Sequence, residues 1–325
     1  MFKMFSILLI AGAMPSLLTA QQLRWRDMAK LPRPVAGYMG GVVNGKLLII
    51  GGSYWENKTK QWTDLVQVFD PRSNTWRKGP SLPGQRSDAA FAAIGNDIYV
   101  FGGSNGTEVR KDAILLHRGK WRRLPAGDLP DLRLYAVAIA SGESIYVLGG
   151  LSKAGDYESV ASTFWRWNPM QKGWDTLPPL PGPGRIGHAM AEINGRIYVF
   201  GGATTGPKDV RNLNDAYCFD PANSKWTRLS DLPVPVRALW AVGLGNHALL
   251  LGGYTDVFER RVYLYDPEHD LQRADDLPHA LADIKFFRLG EMLVGAGGEA
   301  ADRVRGSWTM GADVPKLTPR KKSED

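Results

Sequence analysis

Short apolar runs recur along the chain at nearly even intervals, each closed by two glycines. The runs are KLLII, DIYVF, SIYVL, RIYVF, ALLL and MLVGA, and the pairs begin at Gly51, Gly102, Gly149, Gly201, Gly252 and Gly297. Their spacings of 51, 47, 52, 51 and 45 residues make an internal repeat, which is read before any single element. Runs this short, bounded by turn residues, predict buried strands. A second signal follows in VFDPRSNTW, RWNPMQKGW and CFDPANSKW: a strand, a turn on Asp/Asn-Pro, and a tryptophan opening the next strand. Six residues beyond the tryptophan stands Leu-Pro, as from Trp76 to Leu82, Trp174 to Leu180 and Trp226 to Leu232. The second unit lengthens this interval to eight, Trp121 to Leu129, and the fifth has Leu271 in place of tryptophan. After Leu-Pro comes a strand rich in alanine and glycine, such as SDAAFAAIG or YAVAIASG, whose small side chains suit strands crowded around one axis.

The two ends of the pattern complement each other. LRWRDMAKLP carries Trp25 and Leu31 at the usual interval, a fourth strand without the preceding three. After the sixth glycine pair, DRVRGSWTMG lacks any Trp-to-Leu-Pro segment. The N-terminal strand is therefore predicted to complete the last unit and leave no open edge. Four strands in a unit of about 50 residues resemble the kelch repeat. That resemblance implies an all-β fold, a six-bladed kelch-type β-propeller over residues 21–312 with its last blade closed by the N-terminal strand.

Residues 1–20 read as a segment apart. Lys3, an apolar run from Met4 to Met14 and PSLLTA before Gln21 have the three parts of a secretory signal, with cleavage expected after Ala20. The run is shorter than the ~20 residues a membrane span needs. The expected location is thus exported, periplasmic or secreted, with no membrane anchor in the mature form. Residues 313–325 read as a charged C-terminal tail. A single cysteine, Cys218, excludes an internal disulfide and reads as a core thiol. The net charge of +7, from 40 basic and 33 acidic residues, is a mild bias without basic runs interleaved with aromatics, so nucleic acid is set aside as a partner.

Candidate chemistry gathers where the strands nearest the axis begin. With strands A to D counted outward, the D–A and B–C loops share one face, the mouth, while tight turns such as NGK, GND and NGR occupy the other. Longer and more varied loops direct the search to the mouth. Arg86, Arg133, Arg185 and Arg237 stand at four strand-A openings, the last after a one-residue gap in the alignment. They read either as anchors for an anionic ligand or as braces between neighbouring loops. Tyr38, Asp88, Tyr135, His188, Trp240 and Asp283 share these openings and would suit a sugar, or simply pack.

The last glycine pair is followed by Glu299, with Arg305 six residues on. Gly298, Glu299, Ala300 and Arg305 resemble the active-site loop of the exported bacterial N-acetylneuraminate epimerase (sialic-acid mutarotase) family. Ala301, Asp302 and Arg303 replace that family's Lys-Pro-Gly. The resemblance implies catalysis by Glu299 and Arg305 without a cofactor. The glutamate would shuttle a proton between the anomeric hydroxyl and the ring oxygen, and the arginine would hold the substrate carboxylate. A loop salt bridge is the alternative for the same two residues.

Other motifs fall away. The five histidines have no metal-ligand spacing, and Glu108, Asp112 and His117 miss an iron-binding run by one residue, which turns a strand side chain to the other face. GPGRIG lies before a strand, with no helix to receive a phosphate. Two functions remain open: an isomerase acting on a small acidic sugar, and a non-catalytic module binding an acidic glycan or peptide. The oligomeric state is left open.

Overall fold

The computed structural model describes residues 23–171, 173–206 and 210–314. Six antiparallel four-stranded sheets surround an axis as the blades of a β-propeller. The first blade runs outward through Met39–Val43, Lys46–Ile50, Val66–Asp70 and Thr75–Lys78. The sixth places Lys285–Leu289, Met292–Ala296 and Thr309–Asp313 side by side and takes Arg26–Asp27 as its outer strand. Arg26 pairs with Gly311 and Asp27 with Met310, so the N-terminal strand closes the ring as its unaccompanied Trp-to-Leu-Pro interval predicts. The leader read at residues 1–20 lies outside the described residues, as does the tail read at 313–325 from residue 315 on; its first residue, Asp313, instead ends a strand of the sixth blade.

The repeat residues join one blade to the next. Both glycines of every pair have positive φ, such as 62° and 97° at Gly51 and Gly52, where a side chain is strained. The second glycine donates its N–H to the next blade: Gly52 to the Arg86 carbonyl at 2.8 Å, Gly150 to Arg185 at 2.9 Å, Gly298 to Val35 at 2.9 Å. A Cβ on the first glycine would strike that same carbonyl, at 2.4 Å for both Gly51 and Gly149. Two backbones therefore touch where any side chain would separate them.

The tryptophans staple the rim. Trp76 donates its indole N–H to the Ala29 carbonyl at 2.8 Å, Trp121 to Pro80 at 2.8 Å and Trp226 to Pro178 at 2.9 Å. Trp174 reaches Gly127 at 3.3 Å, and Trp25 reaches Asp275 at 3.2 Å across the closure. Each bond spans two blades, so the regular spacing records a contact between repeats. The Leu271 side chain has no N–H to offer. Trp226→Phe keeps the ring and loses the bond, so it is expected to cost about 1 kcal/mol, read from the shift of a urea unfolding curve.

Small residues crowd the axis, as their place in the inner strands suggests. A Cβ at Gly40 would lie 2.6 Å from the ring of Phe287, which fills the space the glycine leaves. Phe287 meets Phe91 and Trp240 with ring centroids 6.4 and 6.0 Å away, and Phe91 and Trp240 stack at 5.8 Å. These three rings plug the channel midway. Below them lies an apolar cavity of about 360 Å³, and above them the channel opens to the mouth. Cys218 is buried in a blade core beside Tyr198, and burial raises its thiol pKa.

Candidate functional site

Six residues after the leucine of Leu-Pro, or seven in the fourth blade, strand A is led by a left-handed residue: Gly37, Asp88, Tyr135, Gly187, Ala238 and Asp283, with φ between 52° and 63°. Their backbones form links around the axis. Asp88 N–H donates to the Gly37 carbonyl at 2.6 Å, Tyr135 to Asp88 at 2.9 Å, Ala238 to Gly187 at 2.7 Å and Asp283 to Ala238 at 2.8 Å. The Gly37 N–H donates to the Asp283 carboxylate. Left-handed geometry is costly for a residue with a Cβ, so four such residues in one ring mark it as a place where side chains are wanted.

Above the aromatic plug this ring encloses an axial cavity of about 80 Å³. Tyr38, Asp88, Tyr135, His188, Trp240 and Asp283 all line it, so the openings singled out in the sequence converge. Lys285 also lines it and was not foreseen. It sits two residues after Asp283 in strand A, on the same side of the strand, and that period was the available signal. Its ammonium lies 2.6 Å from an Asp283 oxygen and 4.5 Å from the centre of the Tyr38 ring.

The arginines are placed differently. Arg86, Arg133 and Arg185 are buried, with exposures of 3%, 4% and 0%, below the mouth surface. Arg86 donates to the Gly102 carbonyl at 2.8 Å and to Asp112 at 2.6 Å. Arg185 grips both carboxylate oxygens of Asp215 at 3.0 Å and donates to the Gly201 carbonyl at 2.9 Å. Arg133 holds Asp131 at 2.7 Å and lies over the Trp165 ring at 4.6 Å. All three brace blades from within, and their expected role as ligand anchors gives way to that one. The reason is their position: their carbonyls receive the glycine pair of the preceding blade, so their side chains turn under the loop. Val236 holds the equivalent place in the fifth blade, where its carbonyl accepts from Gly202 at 2.8 Å. Arg237 is one residue later and faces the mouth, half-buried, 2.7 Å from the Asn212 side chain and 4.5 Å over the Tyr254 ring.

Glu299 and Arg305 do come together, paired across a short hairpin of Glu299–Ala301 and Val304–Arg305. Arg305 donates to the Glu299 carboxylate, and its guanidinium also approaches the Ser53 carbonyl at 3.3 Å and hydroxyl at 3.4 Å. Only 7% of its side chain is exposed, against 38% for Glu299. The pair thus ties the sixth blade to the first, and the guanidinium is already committed to partners within the chain. Burial raises the Glu299 pKa; Arg305 opposes this, and the charges of Asp283 and Asp88 add to the rise. Burial also raises Asp88, with Lys60 opposing and Asp283 adding, and the Asp88 charge with burial lifts Tyr135 well above the usual phenol. Glu108, Asp112 and His117 go to three separate partners, Arg110, Arg86 and Asp97.

A carboxyl whose pKa is raised by folding favours the fold while protonated and loses that contribution as pH rises from its unfolded to its folded value. Asp88→Asn is therefore expected to be more stable than the parent at neutral pH. Thermal melts should converge as the pH falls below the ordinary carboxylate range. Asparagine tolerates the left-handed backbone and can still accept from the Ser87 hydroxyl, 2.8 Å away in the parent.

Blades of this connectivity, welded by glycine pairs and stapled by tryptophans, define a β-propeller of the kelch class. Family models agree: the Kelch motif matches residues 37–83 and 85–126, and the KLHDC2/KLHL20/DRC7 Kelch-repeats domain matches 115–273. The chain is a kelch-repeat protein. It is 28% identical over 281 residues to Kelch-like protein 35 of Mus musculus, covering 83% of this chain and 42% of that protein. With Kelch-like protein 34 of Homo sapiens it shares 30% identity over 278 residues, 79% of this chain and 41% of that one. Beta-scruin of Limulus polyphemus is 28% identical over 260 residues, 73% and 27% of the respective chains. The chain spans less than half the length of each of these three relatives.

Proposed function

We propose that the protein is a kelch binding module that engages a protein segment on the mouth face. The observation that supports this most directly is the fate of the arginines. Three of the four groups expected to grip a small anion are internal, while the surface above them is broad, aromatic and cation-capped. Arg33 lies 4.6 Å over the Tyr54 ring, Arg303 5.3 Å over Trp55 and Lys60 5.3 Å from Trp62. Trp55 and Trp62 sit on the hairpin of Ser53–Glu56 and Thr59–Trp62, which projects from the first blade's B–C loop. Partly exposed aromatics and arginines such as these are common anchors of protein interfaces. A peptide array of graded charge, with a glycan array beside it, tests the reading. Trp55→Ala with Trp62→Ala is expected to weaken the bound class by about 2 kcal/mol, roughly thirtyfold, while Arg118→Ala on the opposite face leaves it unchanged. Loss of binding with Arg118→Ala alone would sink the assignment to the mouth. The export read from residues 1–20 belongs to the same proposal and is checked by N-terminal sequencing of protein recovered outside the cytoplasm.

A second reading keeps the enzyme: Glu299 as acid and base in mutarotation of an acidic sugar. The raised Glu299 carboxyl beside Asp88 and Asp283 supports it, since a general acid is most effective when its pKa nears the working pH. On this reading wild-type protein in catalytic amounts speeds the α-to-β conversion of freshly released N-acetylneuraminate, followed by proton NMR, and Glu299→Gln does not. Equal rates with and without protein remove it.

A further inference from the structure

The charges around the axial cavity do not balance one for one. Asp283 has Lys285, and Glu299 has Arg305. Asp88 accepts from the Ser87 hydroxyl and has no ion-pair partner among the described residues; Lys60 and Lys285 act on it only from a distance. One carboxylate therefore lines the cavity without a cation in contact with it. A second observation comes from another blade. His188 lines the same cavity, is 2% exposed, and neither of its ring nitrogens has a hydrogen-bond partner. An unpaired buried polar group costs about 1–3 kcal/mol, so two such atoms on one ring beside an open space point to something that binds there.

The chemistry of the missing group follows. Burial, with the nearby charge of Arg185, keeps His188 neutral, so the ring offers one N–H and one lone pair. An anion would satisfy the N–H and be repelled by Asp88. A cation with several N–H donors satisfies Asp88 and the imidazole lone pair together. The wall already accepts such a group, since the Lys285 ammonium rests between the Asp283 carboxylate and the Tyr38 ring. The volume of about 80 Å³ holds several waters, or one ammonium group on a short alkyl stem. A planar guanidinium wants two coplanar acceptors, whereas Asp88 and His188 come from different blades around an axis, which suits the radiating donors of an ammonium.

We infer that the axial cavity binds a primary ammonium group, held by Asp88 and His188 and entering from the mouth on an unbranched alkyl stem. This rests on the mouth being the binding face and names the chemistry taken at its centre. A lysine side chain and a free alkylamine share that chemistry.

The test is an NMR titration of the purified protein with butylammonium chloride and, separately, with Nα-acetyl-lysine methylamide, observing the His188 ring. Sodium chloride at equal ionic strength and sodium butyrate serve as controls. A saturable shift of the His188 resonances is expected with an ammonium, weakened about tenfold or more by Asp88→Asn, the worth of one charge-assisted hydrogen bond. Lys78→Ala on an outer strand should leave it unchanged. Binding of both ammonium compounds makes the site general for amines; binding of the lysine derivative alone makes it a site for a protein chain; both support the inference. A shift that sodium chloride reproduces, that butyrate also produces, or that survives Asp88→Asn overturns it. If no ammonium binds while Trp55→Ala with Trp62→Ala still abolishes array binding, the inference falls and the mouth-face reading stands. If the arrays also show nothing, that reading falls with it.

Discussion

Replacing Gly149 with alanine is expected to destabilise the protein by more than about 3 kcal/mol, close to unfolding a domain of ordinary stability. Two costs add. The residue has a φ of 70°, and a Cβ there would lie 2.4 Å from the Arg185 carbonyl of the next blade. The left-handed backbone alone costs about 1–2 kcal/mol for a residue with a side chain. The contact cannot be relieved without moving a backbone that Gly150 holds at 2.9 Å. Gly45→Ala separates the two terms. It has the same φ of 70° with nothing within 4 Å, so it should lose only the conformational term. Urea unfolding of the two variants checks the difference; equal losses would show that the blades yield freely at the weld.

Arg185→Met is the second large effect, expected at about 3–5 kcal/mol. Arg185 is fully buried, and its removal strands Asp215, whose side chain is only 11% exposed. Arg185→Met with Asp215→Leu should recover most of that loss, because a buried ion pair is often replaceable by apolar groups of similar size, although losing one partner is not. Denaturant midpoints of the single and double variants decide it. Should the single variant instead keep full stability and lose binding at the mouth, the guanidinium would be a ligand group after all.

Much of the fold is legible because each repeat writes the same local chemistry. A glycine pair, an Asx-Pro turn, a tryptophan and Leu-Pro each respond to a constraint met within one blade or at its junction with the next. Trp25 without its three strands predicts closure for the same reason. Six residues lining the axial cavity could be found too, because each opens an inner strand within six to eight residues of the leucine of Leu-Pro. The direction of the arginines could not. Arg86, Arg133 and Arg185 differ from Arg237 by a single step along a strand, and that step turns a side chain from beneath the loops to the mouth. The Val236 carbonyl, receiving the Gly202 N–H, shows which register holds.

The sequence by itself determined the number of blades, their strand order, the closing strand and the ring of openings, since these depend on periodic, short-range signals. Only the tertiary structure decided which charges meet. Asp88 opens the second blade, whereas Asp283 and Glu299 belong to the sixth, and the repulsion between Asp88 and those two exists only once the ring closes. Whether Lys285 and Arg305 answer two of them, and leave Asp88 unpaired in a cavity that an unpartnered His188 also lines, is fixed by how six blades pack around one axis.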